Sequence, residues 1–352
     1  MKRQLLGVAA FMLALSAHAQ DNPLWMRYCA ISPDGTSIAF TYKGDIYTVP
    51  VNGGKAAQIT TNAAHDTHPV WSPDGKQIAF ASDRMGSMDI FVVDREGGIP
   101  KRLTTHSGNE TPVAFKDADH ILFLANVMPS AEDAQFPSGQ FQQVYEVSTT
   151  GDRPVMFSSM PMEDISINKT GNALLYHDKK GYEDPWRKHH TSSITRDIWL
   201  CSLDGKRSYR KLTSFNGEDR TPVWASDGKS FYYLSEEKGS FNVFKRALDG
   251  TSSTQLTHHT KHPVRFLTAA DNGTLCYGYD GEIYTIKEGT EPRKVQISIL
   301  TDKNDKDLIR QIRRNGATEI ALSPDAKEVA FILRGDVYVT SVEYKTTKQI
   351  TY

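Results

Sequence analysis

From residue 24 onward the chain is built of short runs in which apolar and polar positions alternate, broken by turn residues. Residues 68–105, HPVWSPDGKQIAFASDRMGSMDIFVVDREGGIPKRLTT, show the pattern most clearly. Pro69 to Ser72, Gln77 to Ser82, Asp89 to Asp94 and Lys101 to Thr105 read as four strands. Ile78, Phe80, Ile90, Val92 and Leu103 keep mainly the period of two that buries a strand face. Ser72-Pro73-Asp74-Gly75 supplies the first turn, because Pro73 presets its own φ and Gly75 tolerates a positive one. A four-stranded meander has two open edges and little core, so it must stack on copies of itself.

Copies are present. The second-strand aromatic recurs as Phe40, Phe80, Phe123, Tyr176, Tyr233, Tyr277 and Phe331, 40 to 57 residues apart. A third-strand signature follows each one: Asp45-Ile46-Tyr47, Asp89-Ile90-Phe91, Gln143-Val144-Tyr145, Asp197-Ile198-Trp199, Asn242-Val243-Phe244, Glu282-Ile283-Tyr284 and Asp336-Val337-Tyr338. Five units end alike, as in Gln58-Ile59-Thr60 and Lys211-Leu212-Thr213. Seven units of four strands at such a period define an all-β chain, a β-propeller of four-stranded blades.

The units run over 24–61, 68–105, 112–159, 162–214, 221–258, 262–299 and 317–352. Each reads as contiguous, which leaves ring closure to side-chain packing. Residues 300–316, LTDKNDKDLIRQIRRNG, are densely charged where other units are closely joined, and they read as a linker. The expectation is a six-bladed ring over 24–299 and the first blade of a second propeller over 317–352, the alternative being one seven-bladed ring. Units three and four carry insertions between their second and third strands, Leu124 to Phe141 and His177 to Arg196.

The first nineteen residues read as a signal peptide. Lys2 and Arg3 precede an apolar run from Leu5 to Leu15, too short to span a bilayer, and Ala17-His18-Ala19 suits cleavage. The expected localisation is therefore exported and periplasmic. Losing Lys2 and Arg3 takes the formal charge from −1 to −3, which argues against a nucleic-acid partner, and no later segment suggests a membrane one. The cysteines, Cys29, Cys201 and Cys276, are odd in number and sit in or beside strands. They read as small buried hydrophobes rather than a disulfide framework.

Ser-Pro-Asp-Gly followed by Ile-Ala-Phe and then Asp-Ile-Tyr or Asp-Ile-Phe resembles the repeats of TolB, of prolyl-oligopeptidase-type enzymes and of tricorn proteases. Unit four narrows the choice. Its Glu183-Asp184-Pro185-Trp186-Arg187-Lys188-His189-His190 and Thr195-Arg196-Asp197-Ile198-Trp199 look like the loop inserted in the first propeller of tricorn-type proteases, above all exported homologues of Bacteroides-like bacteria. The resemblance covers the whole mature chain. It implies a six-bladed propeller, a second propeller, then a PDZ-like domain and a serine-protease core. Neither of the last two parts matches this sequence, so no catalytic residue can be carried over.

The residues themselves offer little catalytic chemistry. There is no Gly-x-Ser-x-Gly elbow and no His-Glu-x-x-His helix. Ser166 to Lys169 and Ser235 to Lys238 match Ser-x-x-Lys, but in a turn and a loop rather than on a helix. His65-x-x-His68 and His258-His259-x-x-His262 fall at equivalent blade entries, near the axis but on separated blades, so no metal or other cofactor is expected. In a meander the second-to-third connection shares a face with the blade-to-blade connections. Both insertions should rise on that face, and the candidate binding residues are Trp186, Arg187, His189, His190 and Arg196. The expected function is a non-catalytic propeller part of a tricorn-like serine protease, guiding peptides or products and docking a protein partner or downstream protease domains. Homo-oligomerisation stays open, and the alternative is a stand-alone periplasmic TolB-like binding propeller.

Overall fold

The computed structural model describes residues 23–126, 141–182, 184, 186–187, 192–300, 313–344 and 346–351. The signal-peptide reading of 1–19, most of the unit-three insertion and most of the proposed linker lie outside them. The described residues form seven four-stranded antiparallel meanders, one of them extended by a fifth strand, and no helix. Six of the meanders make a ring. Their innermost strands are neighbours in chain order, and Arg27–Ile31 of blade one lies against Arg265–Ala269 of blade six.

The repeated residues explain why the units fold alike. The second-strand aromatic pairs across the sheet with the third-strand aromatic in every unit, as Phe40 with Tyr47, Phe80 with Phe91 and Tyr176 with Trp199. The six second-strand rings within the ring of blades are at most 2% exposed. Six apolar clusters result, one at each blade-to-blade interface, so each sheet is covered on both faces by its neighbours. The terminal threonine has its own task. Thr60, Thr104, Thr213, Thr257 and Thr351 each accept, at Oγ1, the backbone N–H of the third-strand residue just after the Asp or Asn. That bond fixes where the fourth strand leaves its neighbour. Turn chemistry also repeats: in Ser32–Gly35 and Ser72–Gly75 the glycine N–H donates to the serine carbonyl, with φ of 71° and 68° at the glycines.

Ring closure departs from the sequence expectation. Packing is not alone, because Ile297–Ile299, just beyond blade six, pairs in parallel with Gly54–Gln58, the outer strand of blade one. Ile297 stands opposite Gly54 and Ile299 opposite Ala56. Further backbone bonds cross the same seam, Met26 N to Gly281 O at 3.1 Å and Gly54 N to Gln296 O at 2.8 Å. The sequence places these residues at the end of unit six, whereas the blade's own fourth strand is Arg293–Lys294 and Ile297–Ile299 belongs to no repeat.

The seventh sheet, Ala317–Leu322, Glu328–Leu333, Asp336–Ser341 and Thr347–Gln349, contributes nothing to the six interface clusters. Ile320 is 73% exposed and Leu322 61%. It touches the ring through Arg334, whose guanidinium donates to the Ala63 carbonyl at 3.3 Å.

The inner strands share a device invisible in the repeats. Five carry a bulge with a non-glycine residue in the left-handed region: Tyr28, His68, Asp164, Thr221 and Phe266, at φ between 49° and 58°. Such conformations are costly, most of all for a β-branched residue like Thr221. The inner strand of blade three also slips register, at Val113, next to Pro112, whose ring forbids a positive φ.

Two tests follow from the closure and from the buried acids. Ile297 is 2% exposed, so Ile297→Ala should cost about 2 kcal/mol or more in urea unfolding. Ile320→Ala, on the exposed strand, should stay within about 0.5 kcal/mol. Burial, helped by the Asp66 carboxylate, pushes Asp45 up to about 7. Burial likewise pushes Glu110 up to about 7 and Asp219 up to about 6. These carboxyls hold a proton more tightly folded than unfolded. Their contribution is full below the ordinary carboxylate range and is lost as pH rises to between 6 and 7. The melting temperature should therefore rise from pH 8 to pH 5, and Asp45→Asn should raise it at pH 8 and flatten the slope.

Candidate functional site: the face of the blade-four insertion

Glu218, fully buried just before the inner strand of blade five, organises this face. Its Oε2 accepts Arg187 Nη2 at 2.8 Å, and its Oε1 accepts Arg196 Nη1 at 2.9 Å, with Arg220 Nη1 at 3.6 Å. Arg187 also reaches Glu236, in the second-to-third connection of blade five, at 2.7 and 2.9 Å. The insertion of blade four is thus clamped to a blade-to-blade connection and to a second-to-third connection, on the face expected for it.

The energetics explain the clamp. A buried guanidinium is tolerated only when paired and hydrogen-bonded. Burial works against the Arg187 charge, yet Glu236 and Glu218 more than offset it and raise its pKa. Phe241 lies under both Arg187 and Arg220, 5.3 and 4.1 Å from its ring centre. Burial would also raise Glu163, but His177 at 3.2 Å and Lys179 at 2.6 Å hold it far below the usual range. Arg196 Nε completes that link, 3.5 Å from Glu163.

The five sequence candidates therefore part company. Arg187 and Arg196, 4% and 5% exposed, point inward and hold the insertion in place instead of reaching a partner. Trp186 is 38% exposed and packs edge-on against Phe266 of blade six, their ring centres 6.0 Å apart. His189 and His190 lie outside the described residues. Around Trp186 stand residues the sequence reading missed. Arg27 is 5.0 Å and Arg265 is 4.9 Å from its ring centre, and Arg265 Nη2 donates to the Trp186 carbonyl at 2.8 Å. Trp25, 47% exposed, lies 5.5 Å from Arg27 on another side. Burial and the adjacent Arg220 push Arg265 down to about 10. Arg27, Arg220 and Arg265 each directly precede the bulge residue of their strand. An alignment of the first strands would have found that shared position.

The bulge residues meet around the axis. The His68 and Tyr28 rings are 3.6 Å apart and the Tyr28 and Phe266 rings 4.9 Å, while Thr221 Oγ1 donates to Asp164 at 2.6 Å. Burial pushes His68 down to about 4, so it is neutral at ordinary pH. A pocket of about 330 Å³ adjoins it, lined among others by Trp25, Arg27, Tyr28, Lys43, His65 and Arg334. The second histidine cluster stays apart: His259 stacks on Tyr279 at 3.8 Å and His262 pairs with Asp280 at 3.2 Å. Among the described residues no group of His, Cys, Asp and Glu has metal-binding geometry. Neither Ser-x-x-Lys match lies on a helix; Lys169 pairs with Asp271 and Ser235 ends a strand.

A family model described as the tricorn protease N-terminal β-propeller domain matches residues 23–292. Tricorn protease homolog 1 of Streptomyces coelicolor is 25% identical over 279 residues, covering 79% of this chain and 25% of that protein. Tricorn protease of Thermoplasma acidophilum is 25% identical over 332 residues, covering 91% of this chain and 29% of that protein. The crystal structure of a tricorn protease superposes with a TM-score of 0.67 at 20% identity, over 93% of this chain and 31% of that one. The chain thus spans only between a quarter and a third of the length of these relatives.

Glu218→Ala would take one carboxylate partner from three buried arginines and should cost about 3 to 5 kcal/mol. Because the pairs are buried, the loss in urea unfolding should persist at 1 M salt, where exposed pairs are screened.

Proposed function

The chain belongs to the tricorn protease N-terminal β-propeller family, and from that premise we propose that it is the non-catalytic propeller part of an exported, periplasmic tricorn-like serine protease. The sequence supplies no nucleophile motif, so the chemistry is assigned to parts of such a protease outside this stretch. The seventh sheet is assigned as the first blade of a second propeller, its exposed Ile320 and Leu322 being a face that another blade would cover.

One observation carries the binding role: a half-exposed Trp186 set between the cations Arg27 and Arg265, beside a pocket of about 330 Å³. Aromatic and arginine side chains are the usual anchors of contact surfaces. A planar apolar surface edged by guanidinium groups suits a peptide that offers an apolar side chain and a carboxylate. The same surface suits docking of a neighbouring protease domain. Arg187 and Arg196 support it from behind.

Titration of the chain with peptides bearing free or amidated C-termini, and separately with the downstream protease domains, tests the reading. Trp186→Ala and Arg27→Ala should each weaken one of these interactions about tenfold, equivalent to roughly 1.4 kcal/mol, with the circular dichroism spectrum unchanged. Unaltered affinity for every ligand in the double variant would overturn it. The isolated chain should not hydrolyse peptides, and turnover abolished by a single Ser→Ala change would assign it an active site of its own.

A further inference from the structure

Ring closure brings together two residues that the sequence holds almost a whole ring apart. Cys29 lies on the inner strand of blade one and Cys276 on the second strand of blade six, 2% and 0% exposed, in the same apolar cluster at the seam. Both thiols are free and buried in this structure, and burial first, then the neighbouring Cys29 thiol, push the Cys276 thiol up. Cys29 Sγ also faces the Phe266 carbonyl at 3.5 Å. The hydroxyl of Thr268, the strand partner of Cys276, accepts the Ile31 N–H at 3.0 Å. Toward the axis the blades converge: Arg27–Ile31 and Leu275–Tyr279 approach with Cα atoms inside 8 Å. Sheets packed face to face stand about 10 Å apart, whereas a disulfide needs Cα atoms roughly 4.4 to 6.8 Å apart.

We propose that Cys29 and Cys276 are a disulfide-forming pair that fastens blade one to blade six covalently. The two thiols give up two protons and two electrons, and one bond forms between their sulfurs. The oxidant is a disulfide of the thiol–disulfide exchange class, whose own sulfur–sulfur bond is reduced to two thiols. Cys201 takes no part. It sits in the cluster between blades three and four, its thiol 3.5 Å from the Ser202 carbonyl.

Burial governs when the bond can form. It pushes the Cys276 thiol up and disfavours the attacking thiolate, and the closed seam shuts out an exchange partner. Oxidation therefore belongs to the open ring, before blade six docks on blade one. Once made, the bond is shielded from reductants by the same packing. The cross-link would close a loop of nearly the whole ring, the situation in which restriction of the unfolded chain is greatest.

The full chain, refolded in a mixture of reduced and oxidised glutathione, then alkylated and mapped by mass spectrometry, provides the test. The expected result is a Cys29–Cys276 linked peptide in most molecules, with Cys201 alkylated. The oxidised protein should unfold in urea at least about tenfold more slowly than the reduced protein. Oxidised glutathione added after folding should link the pair far more slowly than when present during refolding. Cys201→Ser should keep both the link and the slow unfolding, and Cys276→Ser should lose both. If Cys276→Ser does not fold, peptide mapping and the comparison of oxidised with reduced wild-type protein decide alone. Full alkylation of Cys29 and Cys276 after oxidative refolding, or a link through Cys201 instead, would overturn the proposal.

Discussion

No sheet in this ring can be stable without two neighbours. Each blade buries one face against the blade before it and the other against the blade after it, and six apolar clusters are the result. Five of those interfaces join blades adjacent in sequence and form as the chain folds back on itself. The sixth joins the two ends. It carries an entropic cost the others do not, and the structure adds there the parallel strand Ile297–Ile299 and the bond from the Gly54 N–H to the Gln296 carbonyl.

Much of this was legible because it is repeated. The buried aromatic pairs, the Ser-Pro-Asp-Gly turns and the terminal threonines recur in register, and each has one local physical reason. The features that were not legible depend on partners far away in sequence. Arg187 looks like a surface cation until Glu218 and Glu236 come beside it. The left-handed residues at the bulges are Tyr, His, Asp, Thr and Phe, with no common chemistry, because the constraint acts on the backbone. Ile297-Ser298-Ile299 is too short to declare itself a strand. The face on which the blade-four insertion rises was readable from the alternation of connections, whereas Arg27 and Arg265 beside Trp186 were not.

The site follows from the same division. Arg187 and Arg196 hold an insertion rigid, and Trp186 is left at the surface beside two half-buried arginines of the inner strands, Arg27 and Arg265. A rigid inner layer of paired Glu and Arg beneath an aromatic surface keeps that surface in one geometry. In the proposed binding role, less ordering would then be left to be done on contact.

The parallel strand also sets an order of events during synthesis. Blade one emerges first, yet the outer edge of its strand Gly54–Gln58 has no partner until Ile297–Ile299 has been made. Until those residues are made, blade one shows an unpaired backbone edge, the kind of surface on which chains aggregate. Among that strand's exposed residues is Lys55, a charge of the kind that discourages pairing with strangers. A holding chaperone that shields one short edge would have more effect here than one that unfolds whole domains.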